Sequence, residues 1–480
     1  MSACNFLQII RYVKGRAMGS AIGVNWFIRF IWSISLDLNV PHCQLFYYLP
    51  VPTPSSESSM SSTSISAARW QSALCCAILS IGSACHAAPD EDLLGKSAGY
   101  PVAPNLAQAF QERYRVGSFS AMDSLSAHCT LEAAAQPLPL PKAASEHAFQ
   151  YRFDGKTFTL EDYMQRQRAT AVLVLKDGEI VAERSNYERQ PQQRMLSNSM
   201  AKTIVALAFG KALEEGHIRS LEDRAADYEP RLAGSLYGQT RLINLMRMAS
   251  GAQFVEDYSG RDDLARFNQA ARKQGSTAAA QTVIQRAAPE GSVFNYASSE
   301  TLMLGLALRA ATGQSLCRYV GEKIWQPMGA ESQATWLINP LDQTEMASGN
   351  FNATVRDYAR LGWLMANDGQ RDGRAVIPLE HLLNMTEASR QPEAFRPGRM
   401  QNKGSTYLGY GLQTWLLPGS TRRFVLLGVY GQAIMVDPGL KLVVVHMAAA
   451  KDASGDASGA HMGAERDALW RGIVARYGRW

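Results

Sequence analysis

The sequence predicts a mixed α/β fold of the α+β kind. One antiparallel sheet is built from both ends of the chain and flanked by helices, with a mostly helical region at about residues 220–400 inserted between its halves. Three observations carry this. Apolar runs at 171–175 and 180–184 flank Lys176-Asp177-Gly178-Glu179, a hairpin signature. Three more β-rich runs, 424–429, 432–436 and 441–446, return near the C-terminus, and Asp437-Pro438-Gly439 turns between the last two. Between these sets, apolar residues recur at helical spacing rather than in alternation.

Residues 1–59 do not read as a folded domain. The stretch 20–38 is apolar, with Trp26, Phe27, Phe30 and Trp32, but Arg29 interrupts it and it falls short of a membrane span. Met60 opens what reads as a signal peptide over 60–88. Arg69 gives the positive region, residues 73–81 the apolar core and Cys85-His86-Ala87 the cleavage site, with acidic Asp90-Glu91-Asp92 beyond. The expected start is near Met60, with 1–59 a non-native or disordered extension; the alternative is an extension anchored by 20–38. Gly82-Ser83-Ala84-Cys85 matches a lipoprotein box poorly, which makes lipidation of Cys85 the lesser option. The expected location is periplasmic or secreted, with no stable membrane insertion after processing.

Residues 89–148 read as an extended N-terminal segment and linker, because Pro137, Pro139 and Pro141 punctuate an Ala-rich run. The main domain is expected over 149–480, opening with a short helix at 158–168 before the hairpin. Ile204, Val205, Leu207, Ala208, Ala212 and Leu213 give a helix that Gly216 closes. Further helices are expected at 242–248, ended by Ser250-Gly251; at 300–311, closed by Gly313; at 316–325, ended by Pro327; at 354–367, before Asp368-Gly369; and at 465–477. Residues 253–263 form a loop carrying Glu256, Asp257 and Tyr258.

A hydrophobic content of 46% with 19% charged residues suits a chain that buries a core. The formal charge of +5 is mild for this length and no basic run is interleaved with aromatics, which excludes nucleic acid as the expected partner. No Cys/His cluster has zinc-ligand spacing, and no phosphate-binding glycine motif is present, so neither metal nor cofactor is expected. Only Cys129 and Cys317 would remain in a processed chain. They either pair in an oxidising compartment or stay as two buried thiols.

The chemistry gathers at Ser199 and Lys202, the only Ser-x-x-Lys in the chain. At the start of a helix, residues three apart share a face. A serine hydroxyl needs a neighbour to take its proton, and a lysine shielded from water can be neutral enough to do so. The N–H groups of a helix start also point at any oxyanion formed there. Tyr296, at a loop-to-helix junction, can relay a proton. Leu426-Leu427-Gly428-Val429-Tyr430-Gly431-Gln432 reads as a glycine-broken edge strand able to supply a second oxyanion donor.

In this order the motifs resemble the penicillin-recognising serine hydrolase family: class C β-lactamases, DD-peptidases and β-lactamase-like esterases. Ser199/Lys202, Tyr296/Ser298 and the 426–429 strand stand where that family carries Ser-x-x-Lys, Tyr-x-Asn or Tyr-x-Ser, and Lys-Thr-Gly. The 6-aminohexanoate-dimer hydrolases are the most similar members, through Ser250-Gly251, Glu256-Asp257-Tyr258 and Gly428-Val429-Tyr430-Gly431-Gln432. The resemblance implies a β-lactamase/transpeptidase-like fold. It implies an acyl-enzyme on Ser199, proton transfer shared by Lys202 and Tyr296, and an oxyanion hole from the N–H groups of Ser199 and Val429. It also implies substrate contacts from Tyr258, Ser298, Gly428, Tyr430 and Gln432. The implied partner is a small-molecule amide or ester; oligomeric state stays open. Leu426 stands where β-lactam-binding relatives carry a cation, which disfavours substrates with a carboxylate there and leaves a neutral apolar wall instead. The alternatives are a β-lactamase or DD-carboxypeptidase and, of another class, a non-catalytic penicillin-binding-type sensor.

Overall fold

The computed structural model describes residues 88–392, 395, 407, 409–419, 421–454 and 462–480. The expected extension at 1–59 and the signal peptide, apart from its last residue, lie outside them. All of the described residues fall within one compact unit.

In chain order the strands are β1 (His128–Leu131), β2 (Gln150–Phe153), β3 (Lys156–Thr159), β4 (Ala169–Lys176), β5 (Glu179–Ser185), β6 (Arg194–Leu196), β7 (Ala334–Leu337) and β8 (Phe351–Thr354). They continue with β9 (Gln370–Arg371), β10 (Arg374–Ala375), β11 (Gly409–Tyr410), β12 (Trp415–Leu416), β13 (Phe424–Gly428), β14 (Gln432–Asp437) and β15 (Leu442–Ala448). Among the described residues the main sheet has the order β11-β12-β13-β14-β15-β4-β5, antiparallel throughout. Both chain ends therefore build it, as the sequence predicts. Side chains alternate across the pleat: Val172, Val174 and Val444 face one core, and Leu173, Leu175, Val443 and Val445 the other. Both faces are covered, so these strands read as continuous apolar runs.

The helices are α1 (Glu112–Phe119), α2 (Leu160–Arg166), α3 (Ala201–Glu214), α4 (Leu242–Met246), α5 (Asp263–Gln274), α6 (Ser276–Ala280), α7 (Ser298–Thr312), α8 (Leu316–Val320), α9 (Val355–Ala366), α10 (Leu379–Thr386) and α11 (Met462–Tyr477). Leu469, Trp470, Ile473 and Val474 of α11 cover one face of the main sheet together with Tyr151. The larger core, with α3, α7 and α9, covers the other face. None of the described helices is long and apolar enough to cross a membrane.

Four expectations change. The helix expected at 158–168 begins only at Leu160, because Phe158 pairs in a ribbon with Tyr151 and Thr159 caps the helix in a reciprocal bond with Asp162. The inserted region is not wholly helical: β7 and β8 join β1 and β6 in a second antiparallel sheet, order β1-β7-β8-β6. β7 and β8 are four residues long and buried at every position, so no alternation marks them. The helix at 316–325 is α-helical only to Val320 and continues as a π turn over Gly321–Trp325.

The fourth change is in 89–148. This stretch carries α1 and β1 and packs by Leu94, Tyr100 and Val116 against Tyr187 and Ala449. Arg168 ties it down through Asp90 at 2.7 Å and Glu112 at 2.5 Å. Cys129 on β1 and Cys317 on α8 form a disulfide with Cα atoms 6.2 Å apart, which settles the two-way reading of these cysteines.

Candidate active site

Met195 and Leu196 end β6 in the second sheet, and a tight turn over Asn198–Met200 leads into α3. Ser199 sits on that turn and Lys202 in the first turn of α3. Apolar residues on almost every side of α3 bury it, and Lys202 goes with it: its side chain is 1% exposed. The Lys202 Nζ donates to Ser199 Oγ at 2.9 Å, to Ser298 Oγ at 2.9 Å and to the Ser348 carbonyl at 2.8 Å. Burial pulls the Lys202 amine down to about 8, opposed by the negative charge of Glu256.

Tyr296 lies just before α7. Its phenol stands beside the Ser199 side chain, and its ring lies 5.1 Å from the Lys202 Nζ. Burial raises the Tyr296 phenol well above its ordinary range, the Glu256 charge adds to this, and the neighbouring Ser199 hydroxyl opposes it. The ring stacks on Trp415 at 5.8 Å between centroids and meets Tyr410 edge-on at 6.3 Å. Asn295 fixes the approach to it, donating through its side chain to the Ala252 and Phe254 carbonyls.

Glu256 is the residue that sequence reasoning left without a role. One of its oxygens accepts from the Ser298 N–H at 2.6 Å. The other accepts from the Ser298 hydroxyl at 2.7 Å and the Tyr258 hydroxyl at 2.9 Å. It thus caps α7, whose own cap residue, Ala297, offers no side-chain acceptor. It also anchors the 253–262 loop beside the nucleophile. Its position two residues before Tyr258 was the available signal. Tyr258 itself takes a left-handed backbone (φ 61°), held by Asp262, which accepts the N–H groups of Asp257 and Tyr258.

Opposite Ser199 lies the end of β13. The strand is interior in the sheet, which corrects the edge assignment. Yet β12 pairs only with Phe424 and Val425, so among the described residues Leu426–Gly428 are paired on the β14 side alone. Their free side meets the nucleophile turn: a side chain at Gly428 would put its Cβ 2.3 Å from the Ser197 carbonyl. Among the described residues no group accepts the Ser199 or Val429 N–H. The expected oxyanion donors, Ser199 and Val429, therefore stand on adjoining turns.

Two of the expected substrate contacts are turned elsewhere. Gln432 is buried, and its amide donates to the carbonyls of Ala448, Tyr430 and Val429 and accepts the Ala448 N–H. It is saturated by backbone and braces the turn instead of meeting a ligand. The Tyr430 ring packs on Phe110 and Phe119 of the N-terminal segment, under the Arg115 guanidinium at 4.3 Å. Leu426 has no exposed surface and belongs to the large core, so it lies beneath the cleft and does not wall it. Arg422 is paired with Asp368, and Arg423 with Asp437, so both of these cations are engaged within the protein.

The arrangement brings together a serine hydroxyl, a desolvated amine and a phenol, with the Ser199 and Val429 N–H groups on adjoining turns. Such a set can form and resolve an acyl-enzyme. Residues 158–465 match the Beta-lactamase family model. The chain is 26% identical over 317 residues to the 6-aminohexanoate-dimer hydrolase of Paenarthrobacter ureafaciens, a match covering 63% of this chain and 78% of that protein. A solved structure of a candidate 6-aminohexanoate-dimer hydrolase from Bacillus anthracis superposes with a TM-score of 0.66 at 25% identity, covering 77% of this chain and 96% of the other. A candidate β-lactamase from Bacteroides dorei shares the fold, with a TM-score of 0.50 at 17% identity over 65% of this chain and 96% of its own.

Proposed function

This chain belongs to the beta-lactamase family of hydrolases, and on that premise we propose that it is a secreted serine hydrolase that cleaves small amides or esters through an acyl-enzyme. Linear amides of the 6-aminohexanoate-dimer type are the substrates that its similarity to such a hydrolase favours. The observation that carries the reading is the Ser199 hydroxyl bonded to the buried Lys202 amine at 2.9 Å, with the Tyr296 ring 5.1 Å from that amine.

In the proposed sequence, Ser199 Oγ attacks the substrate carbonyl as its proton passes to the Lys202–Tyr296 pair. The N–H groups of Ser199 and Val429 stabilise the oxyanion. The pair returns the proton through Tyr296 to the leaving amine or alkoxide, and the carbon–nitrogen or carbon–oxygen bond breaks. Water, deprotonated by the same pair, then releases the acid and restores Ser199. Either group can serve as the base, because both stand beside the Ser199 hydroxyl. Secretion is supported by the 60–88 sequence and by the Cys129–Cys317 disulfide, which suits an oxidising compartment.

A β-lactam carries its carboxylate close to the scissile amide, where a partly desolvated cleft must supply a cation because an unpaired buried charge costs several kcal/mol; a 6-aminohexanoate dimer carries its carboxylate a whole alkyl chain away. Leu426 is buried, and Arg422 and Arg423 are engaged by carboxylates. The test is a panel of a short-chain p-nitrophenyl ester, a linear amide dimer and nitrocefin. The ester's kcat/KM should exceed nitrocefin's by at least about 10²-fold, roughly 2.7 kcal/mol at the transition state. Nitrocefin as the better substrate would replace this reading with a β-lactamase.

A further inference from the structure

We infer that Asn198, the residue before the nucleophile, is a positioning residue that fixes the spacing of the two oxyanion donors by tying the nucleophile turn to the end of β13. The inference rests on the proposed acyl transfer at Ser199.

Asn198 takes a left-handed backbone, with φ 46°. Asparagine tolerates this region better than most residues, but glycine would adopt it at lower cost. The side chain shows what asparagine adds. Its Nδ2 donates to the Val429 carbonyl at 2.9 Å, across a separation of 231 residues. That carbonyl belongs to the same residue whose N–H is the second proposed donor. The residue before it, Gly428, is pressed on the same turn, with any Cβ placed 2.3 Å from the Ser197 carbonyl and 3.0 Å from the Asn198 Cβ. The peptide groups on both sides of the Val429 Cα are thus referenced directly to residues 197–198.

The turn itself is anchored from behind. Ser197 N–H donates to the Phe351 carbonyl at 2.7 Å, and the Ser197 hydroxyl donates to the Asn198 carbonyl at 2.8 Å. On the far side, Gln432 donates to the same Val429 carbonyl at 3.3 Å, and His446 Nδ1 bonds the Gly431 carbonyl at 2.6 Å. Of these hydrogen bonds, only that of Asn198 crosses from the nucleophile turn to the donor turn. An oxyanion hole works because its donors are aimed before charge develops. Loosening this bond leaves Ser199, Lys202 and Tyr296 in place and costs alignment of one N–H, which acts on the transition state and hardly on the bound substrate.

Asn198→Gly separates the two jobs, since it keeps the left-handed backbone and removes the donor. Asn198→Asp keeps size and backbone preference and sets an acceptor against the Val429 carbonyl. Each is assayed with p-nitrophenyl butyrate beside Ser199→Ala, with thermal denaturation of every variant. The expected result for Asn198→Gly is a kcat lower by about 10-fold or more with KM within about twofold and a near-normal Tm. Asn198→Asp should lose at least as much. The rate ratio between the ester and its thionoester analogue should also shrink in both, because a hole no longer aimed at oxygen discriminates less against sulfur. Wild-type kcat in Asn198→Gly, or a rise in KM alone, overturns the inference while Ser199→Ala is inactive. An active Ser199→Ala instead overturns the reading on which it rests.

Discussion

At the scale of single residues, the site depends on one amine kept out of water. Lys202 makes three hydrogen bonds and has almost no exposed surface, and its amine is lowered to about 8. Below that pH it is mostly an ammonium and cannot take a proton; above it the free amine can. Lys202 and Tyr296 both stand beside Ser199, and the proposed mechanism makes them one proton-transfer unit. Lys202→Ala and Tyr296→Phe should each lower kcat by roughly 10²-fold or more, and the double variant should fall little below the worse single. Steady-state kinetics on the four proteins of this cycle check it; losses that simply multiply would place the two groups in separate steps. The Ser-x-x-Lys pair and Tyr296 were legible because their chemistry depends on a fixed local spacing or junction. Glu256 was not, because its role comes from meeting Ser298 across a separation of 42 residues.

At the scale of elements, the 253–262 loop and α7 form one electrostatic unit. Glu256 caps α7, binds Tyr258, and raises the proton affinity of both Lys202 and Tyr296. Glu256→Gln removes that charge. The limb of the kcat/KM–pH profile on which activity rises with pH should therefore move to lower pH, whichever partner carries the proton, since both affinities fall. A limb that stays in place would contradict the coupling. The hairpin of β4 and β5, the three C-terminal strands and the capped helices were legible, because Asp177-Gly178, Asp437-Pro438-Gly439 and the closing glycines mark their ends. The second sheet was not. Its strands are short, wholly buried in β7 and β8, and paired between segments far apart in sequence. The framework contacts of Gln432 and Tyr430 were not legible for a related reason: Gln432 bonds the Ala448 backbone and Tyr430 packs on Phe110 and Phe119, all far away in sequence.

At the scale of the whole molecule, the N-terminal segment is part of the hydrolase. Phe110, Arg115 and Phe119 press on Tyr430, one residue beyond the expected donor Val429. The Cys129–Cys317 disulfide, spanning 188 residues, fastens this segment's β1 to α8 of the inserted region. Closing so long a loop chiefly restrains the unfolded chain and contributes about 2–4 kcal/mol. Replacing both cysteines by serine, or adding reductant, should lower Tm by several degrees with the folded enzyme still active. An unchanged Tm would show that the bridge bears little of the fold's stability.

The central claim is a covalent acyl group on one oxygen. It is tested most directly by mass spectrometry of the intact protein after brief exposure to a slowly turned-over p-nitrophenyl ester, followed by peptide mapping. The account predicts a single acyl adduct on the peptide containing Ser199, formed in step with p-nitrophenol release and missing in Ser199→Ala. Turnover without an adduct in the wild type, or an adduct on another residue that survives in Ser199→Ala, would contradict it.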